Sequence, residues 1–225
     1  MIRVVLVDDQ QLVRTGLRTL AEHDGDIEVV AEADNGKSGI DTVRQHKPDI
    51  VLMDIRMPQM DGISATQAIT TDPLLTGVRV IVLTTFDEDE NVLAAIKAGS
   101  AGYLLKNVAP NDLREAIRLV GAGDALLSPA ITRKVMSTLA ASPESRTRPR
   151  LLEDLTQRER DVLTRIGMGE SNDAIGQSLH ISPATARTYV SRLLSKLNAR
   201  DRSQLVILSY ESGLITPGQM HSDDS

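Results

Sequence analysis

Along the first 125 residues, short apolar runs alternate with segments whose apolar positions recur every three or four residues. IRVVLV (2–7), IEVVAEA (27–33), DIVLMD (49–54), RVIVLT (79–84) and AGYLL (101–105) are brief, and most are rich in β-branched residues, which predicts strands. Between and after them QLVRTGLRTLAEH, GKSGIDTVRQH, GISATQAIT, ENVLAAIKAG and NDLREAIRLVGAG have helical spacing. Strands alternating with helices predict an α/β domain, a five-stranded doubly wound parallel sheet covered on both faces. Farther on the pattern is purely helical. SPAITRKVMSTLAA (128–141) predicts a helix capped at Ser128 with Pro129 in its first turn, and SPESRTRPR (142–150) has the polar, proline-containing composition of a linker. Helical segments follow at about 157–168, 172–179, 183–197 and 203–212. The expected division is an α/β domain at 1–124, a linker helix and flexible linker at 125–150, an all-α four-helix domain at 151–215, and a disordered tail at 216–225.

Composition narrows this picture. Hydrophobic residues make up 41% of the 225, and with one Phe, three Tyr and no Trp the core must be aliphatic. The absence of cysteine rules out disulfides and thiolate metal sites. No apolar run approaches the roughly 20 residues that span a bilayer, and the N-terminal run leads straight into acids, so a soluble cytoplasmic protein is expected. Charge is divided unevenly: residues 1–145 hold 14 Lys/Arg against 21 Asp/Glu, and residues 146–215 hold 11 against 8. The first module is acidic and the second mildly basic, a weak electrostatic hint of nucleic acid.

The acidic module has a concentrated site. In an open parallel sheet, ligands bind at the carboxyl ends of the strands. Asp8 and Asp9 end the first strand, Asp54 the third and Thr84 the fourth, and Lys106 follows the fifth. Taken singly, an Asp at a strand end is more often a turn or cap residue. Three carboxylates on one rim repel unless a cation joins them, and hard oxygens without His or Cys favour Mg²⁺. Asp54, on the central strand, is the natural nucleophile toward phosphorus, with Lys106 and Thr84 spreading the charge of a phosphoryl group.

From residue 2 to 122 these features resemble the receiver domain of bacterial two-component response regulators, with its flavodoxin-like fold. The resemblance rests on the DD pair, Asp54 with MPQMDG after it, Thr84 in VLTTFD and Lys106 in AGYLLK. It implies that Asp54 is the phosphoacceptor, that Asp9, Asp54 and the backbone carbonyl of Arg56 hold Mg²⁺ with help from Asp8, and that Thr84 and Tyr103 form a switch pair. Asn107 departs from the family, where a proline commonly follows the lysine, and leaves the shape of that loop open.

In the second module Thr156 and Glu159 stand at capping-box spacing, and Ser182–Pro183 opens a helix after a tight turn. That is a helix-turn-helix pattern. Val190, Leu193, Leu194 and Leu197 form its apolar stripe, while Thr188, Ser191, Arg192 and Ser195 face away, flanked by Arg187 and Lys196. LTQRERDVL followed by SNDAIGQSLHISPATARTYVSRLLSKLNARDRSQLV closely resembles the LuxR-type helix-turn-helix, and the whole chain a NarL/FixJ-type response regulator. Gly176, Ala186, Arg187 and Tyr189 depart from that pattern. The resemblance implies DNA contacts from Thr185, Arg187, Thr188, Ser191, Arg192 and Lys196, and a homodimer through Leu205, Leu208 and Tyr210 on inverted or tandem repeats. It further implies a sensor histidine kinase as phosphoryl donor and a regulator rather than a metabolic enzyme. Two other readings are a phosphatase or phosphotransferase using an aspartyl intermediate, disfavoured by Arg56 two positions after Asp54, and a regulator whose receiver is only a structural or ligand-sensing dimerisation module, disfavoured by the complete acidic set.

Overall fold

The computed structural model describes residues 1–84, 89–122, 152–199 and 201–215, with the side chains of 89–91 excepted. The expected linker helix and linker at 125–150 and the expected tail at 216–225 lie outside the described residues. Contacts divide the chain into two compact units.

The first unit alternates β1 (Ile2–Val7), α1 (Gln11–Glu22), β2 (Ile27–Ala33), α2 (Gly36–His46), β3 (Ile50–Asp54), α3 (Gly62–Thr71), β4 (Arg79–Thr84), α4 (Asp89–Lys97), β5 (Gly102–Leu105) and α5 (Pro110–Gly121). All pairings are parallel in the order β2-β1-β3-β4-β5. The runs read as strands are strands to within a residue, because β1, β3 and β4 are buried almost throughout, as a sheet covered on both faces demands. Val4, Leu6, Ile50, Leu52, Ile81 and Leu83 pack with Leu17 and Ala21 of α1 and Leu113, Ile117 and Val120 of α5. At about 1.5–3 kcal/mol for each large side chain removed from water, this aliphatic layer is ample without aromatics.

Register places the functional rim. Val7 pairs with Met53, so Asp8 follows β1 beside Asp54 of β3, and Thr84 pairs with Leu105, so Lys106 comes next along β5. The neighbours of β1 and β3 are reached in opposite directions, which makes the gap between these strands the switch point where such sheets bind ligands.

The second unit contains α6 (Gln157–Gly167), α7 (Asn172–Leu179), α8 (Pro183–Lys196) and α9 (Arg202–Glu211). Thr156 and Glu159 form the expected capping box, and Ser182 caps α8 with Pro183 at its first position. His180 ends α7 in the left-handed region (φ 53°), which turns the chain sharply into α8. Gly176 is explained here: a β-carbon on it would lie 2.9 Å from the Ile181 carbonyl, so the turn closes only against glycine. Ala186, also unusual for the pattern, is fully buried.

Candidate phosphoacceptor site and DNA-reading face

Asp8 and Asp54 are buried at the rim and Asp9 beside them is exposed. One carboxylate oxygen from each lies within 4.8 Å of the others. The Lys106 ammonium reaches across, 2.6 Å from Asp8 Oδ2 and 2.9 Å from Asp54 Oδ2. Burial pushes the Asp54 carboxyl above the ordinary aspartate value; Lys106 opposes this and the Asp8 charge adds to it. Burial also acts against the Lys106 ammonium, but its bonds to Asp8 and Asp54 outweigh that and hold its pKa above the ordinary lysine value. One ammonium among three carboxylates leaves net negative charge in a partly desolvated place. An all-oxygen donor set of this kind fits Mg²⁺.

Thr84 is buried at the end of β4 and Tyr103, in β5, is 1% exposed. The Lys106 N–H donates to the Thr84 carbonyl (2.7 Å), continuing the β4–β5 ladder by one residue, and Val108 N–H closes a turn onto the Leu105 carbonyl (3.0 Å). Among the described residues no peptide bond is cis, so the chain passes Asn107 in the trans form.

Two glycines shape the loop after Asp54, and sequence reasoning passed over them. A β-carbon on Gly62 would lie 1.8 Å from the Asp54 carbonyl oxygen, and one on Gly36 would lie 2.7 Å from the Met60 carbonyl. Gly62 N–H bonds the Ile55 carbonyl (2.8 Å) and Gly36 N–H the Met60 carbonyl (3.2 Å), while Gln59 takes a left-handed φ of 67°. The loop folds back over the end of β3. The DG step was the available signal, but a turn glycine and one crossed by backbone look alike in sequence. Asp61, in the same motif, is a helix cap, accepting from Ser64 N–H at 2.8 Å.

In the second unit Thr185, Arg187, Thr188, Ser191 and Arg192 are exposed along α8, while Ala186, Val190 and Leu193 are buried. The Arg192 guanidinium lies 5.8 Å from the Tyr189 ring centre. Several cations that make this module basic are engaged inside it. Arg158 donates to the Leu179 carbonyl, Arg160 to the carbonyls of Leu152 and Leu155, and Arg165 pairs with Glu170. Arg202, buried, bonds Asn172 Oδ1 and the Glu170 carbonyl.

Lys196, expected on DNA, is exposed and also ion-paired: its ammonium is 2.8 Å from Glu159 Oε2 and donates to the Asp154 carbonyl. The expected dimer residues differ in exposure. Leu205 is fully buried, and Tyr210 is 4% exposed with its hydroxyl donating to the Gly167 carbonyl at 3.1 Å. Both belong to the core where α9 packs on α6, and of the three only Leu208 is half-exposed. Burial pushes the Tyr210 phenol up to about 12.

A carboxylate cluster at the switch point of a doubly wound sheet, followed in the chain by a helix-turn-helix, defines a regulator with an acidic receiving site and a DNA-reading module. Comparison with known proteins agrees. Residues 4–118 match the response regulator receiver domain and residues 153–209 the LuxR family of bacterial regulatory proteins. Over 214 residues the chain is 38% identical to the transcriptional regulatory protein YxjL of Bacillus subtilis, covering 95% of this chain and 97% of that one. It is likewise 38% identical over 214 residues to the response regulator VraR of Staphylococcus aureus, covering 95% and 99%. Among solved structures, ChrA, the response regulator of a heme-sensing two-component system, is 33% identical with a TM-score of 0.52, covering 95% of this chain and 98% of that one. The receiver domain of NarL from Mycobacterium tuberculosis is 34% identical with a TM-score of 0.52, covering 54% and 97%. The chain belongs to the two-component response regulators with a LuxR-type DNA-binding domain. No helix among the described residues is long and apolar enough to cross a membrane.

Proposed function

We propose that the chain is a cytoplasmic transcriptional switch in which a phosphoryl group on Asp54 governs promoter binding. The observation that carries this reading is the convergence of Asp8, Asp9, Asp54 and Lys106 within bonding reach on one strand rim. An Asp54 oxygen attacks phosphorus of a phosphorylated histidine on a sensor kinase. The new P–O bond forms as the P–N bond breaks, and the leaving imidazole takes up a proton. Lys106, then released in part from Asp54, would bind a phosphoryl oxygen, and the Thr84 hydroxyl another. Asp9, Asp54 and the Arg56 carbonyl, with Asp8 behind them, would hold Mg²⁺, which supplies neutralising charge for the phosphoryl oxygens. The movement of Thr84 and of the Tyr103 ring would bias a two-state surface and with it self-association.

On the DNA side, α8 enters the major groove, with Thr185, Arg187, Thr188, Ser191 and Arg192 facing bases and phosphates. Two protomers on repeated half-sites would give the affinity a single small module lacks.

Treating the full chain with acetyl phosphate and Mg²⁺ and recording intact mass tests the chemistry. Wild type is expected to gain one phosphoryl group and Asp54→Asn none. Modification of Asp54→Asn to the same extent would move the acceptor elsewhere.

A further inference from the structure

Each polar atom of Asp8 has a defined contact. Its N–H donates to the Ala33 carbonyl (3.1 Å), Oδ1 accepts the Gln10 N–H (2.9 Å), and Oδ2 meets Lys106 (2.6 Å). The remaining atom, the carbonyl oxygen, accepts from Arg14 Nη1 at 2.6 Å. Arg14 stands on the first turns of α1 with its side chain 14% exposed, and its Nε donates to Glu32 Oε2 at 3.0 Å.

Glu32 is in turn tied to Arg18, whose Nε lies 2.9 Å from Oε1 and whose Nη1 donates to the Val29 carbonyl (2.9 Å). Glu22 closes the series by accepting the Val29 N–H at 2.8 Å. Arg14, Arg18 and Glu22 are four residues apart on one helix face, so they lace α1 along the edge strand β2. The lacing ends on the carbonyl between the two acids. That carbonyl belongs to the peptide plane joining Asp8 to Asp9, and the direction of the Asp9 carboxylate turns with this plane.

We propose that Arg14 is a positioning residue for the acidic site, holding the Asp8–Asp9 peptide so that the exposed Asp9 carboxylate faces Asp54. Glu32 keeps the guanidinium fork aimed by fixing its other edge. The inference rests on the reading that Asp8, Asp9 and Asp54 hold Mg²⁺, and it assigns to α1 and β2 a part in that site. Arg18 shares Glu32 and the same strand but makes no contact with Asp8, so it is the internal control.

The test is Mg²⁺ titration of the ¹⁵N-labelled full chain, following the backbone amides of residues 8–10 and 55, with thermal melting in parallel. Wild type is expected to saturate and Asp9→Asn to lose the response. Arg14→Ala is expected to weaken Mg²⁺ roughly tenfold, the usual effect of removing a group that orients a ligand. Arg18→Ala should melt lower yet keep wild-type Mg²⁺ affinity. Arg14→Lys, which keeps the charge but not the fork, should also bind more weakly, and it guards against an alanine variant that does not fold. In phosphorylation with acetyl phosphate, Arg14→Ala should raise the half-saturating Mg²⁺ concentration while the rate at saturation is retained. Wild-type affinity in both Arg14 variants, or equal weakening in Arg14→Ala and Arg18→Ala, overturns the role of Arg14 alone. Wild type without any Mg²⁺ response overturns it together with the metal site beneath it.

Discussion

Lys196 carries one reading from the sequence and a second from the structure. On a helical pattern it stands at the edge of the reading face, where a cation suggests a phosphate contact. In the fold its four-carbon stem carries the ammonium back to Glu159, 37 residues earlier, and periodicity carries no trace of such a bond. A salt titration of DNA binding separates the two roles, because each phosphate contact adds about 0.9 to the slope of log affinity against log salt on duplex DNA. Lys196→Ala is expected to weaken binding with the slope unchanged. Arg187→Ala and Arg192→Ala, if they hold phosphates, should each reduce the slope by about one unit. A reduced slope for Lys196→Ala would return it to the DNA. Gly62 makes a second prediction at this scale: Gly62→Ala sets a β-carbon against the Asp54 carbonyl, and overpacking of that kind costs about 1–3 kcal/mol. Its melting temperature should fall, and acetyl phosphate should label its Asp54 more slowly than in wild type. The acids, Thr84 and Lys106 were legible because each ends or follows an apolar run. Arg14 was not, since its partner is a main-chain carbonyl that any residue could supply.

Elements were read with more success than their surfaces. The strands and most helix limits follow from apolar runs and caps, which are local, so the sequence states them directly. The packing of α9 was less legible, because burial depends on neighbours distant in the chain. Its extra apolar residues were assigned to a partner protomer; in the fold Leu205, Val206, Ile207 and Tyr210 are buried within the unit, and Leu208 is half-exposed. The start of α6 binds the unit together, since Glu159 Oε2 accepts from Thr156 N–H, Thr156 Oγ1 and Lys196 Nζ. The Lys196 bond, then the Thr156 N–H, hold the Glu159 carboxyl below the ordinary glutamate value. A lowered folded pKa gives stability that is present above the unfolded value of 4.5 and is lost as pH falls through the folded one. Thermal melting of the full chain between neutral pH and pH 3 should therefore show the helical unit weakening on the acid side, and Glu159→Gln should flatten this dependence. An unchanged pH profile in that variant would remove Glu159 from the explanation. At the head of the reading helix, Ser182→Ala should lower stability by about 1 kcal/mol, the typical worth of an N-cap, as read by urea unfolding.

At the scale of the whole molecule, the chain joins an acidic receiving unit to a DNA-binding unit, and its relatives with the same two parts are response regulators. A switch between the two, as proposed, amounts to a coupling free energy between Asp54 and DNA, and allosteric couplings are typically about 1–3 kcal/mol, or roughly 5- to 150-fold in affinity. The most direct measurement uses a duplex selected from random sequence by the full chain. Its affinity is read before and after treatment with acetyl phosphate and Mg²⁺, for wild type and Asp54→Asn, with intact mass recorded on the same samples. Phosphorylated wild type is expected to bind about tenfold more tightly or better, with Asp54→Asn unmoved. Wild type that carries a phosphoryl group yet binds DNA no differently, or an Asp54→Asn variant that tightens equally, would contradict control of DNA binding through Asp54.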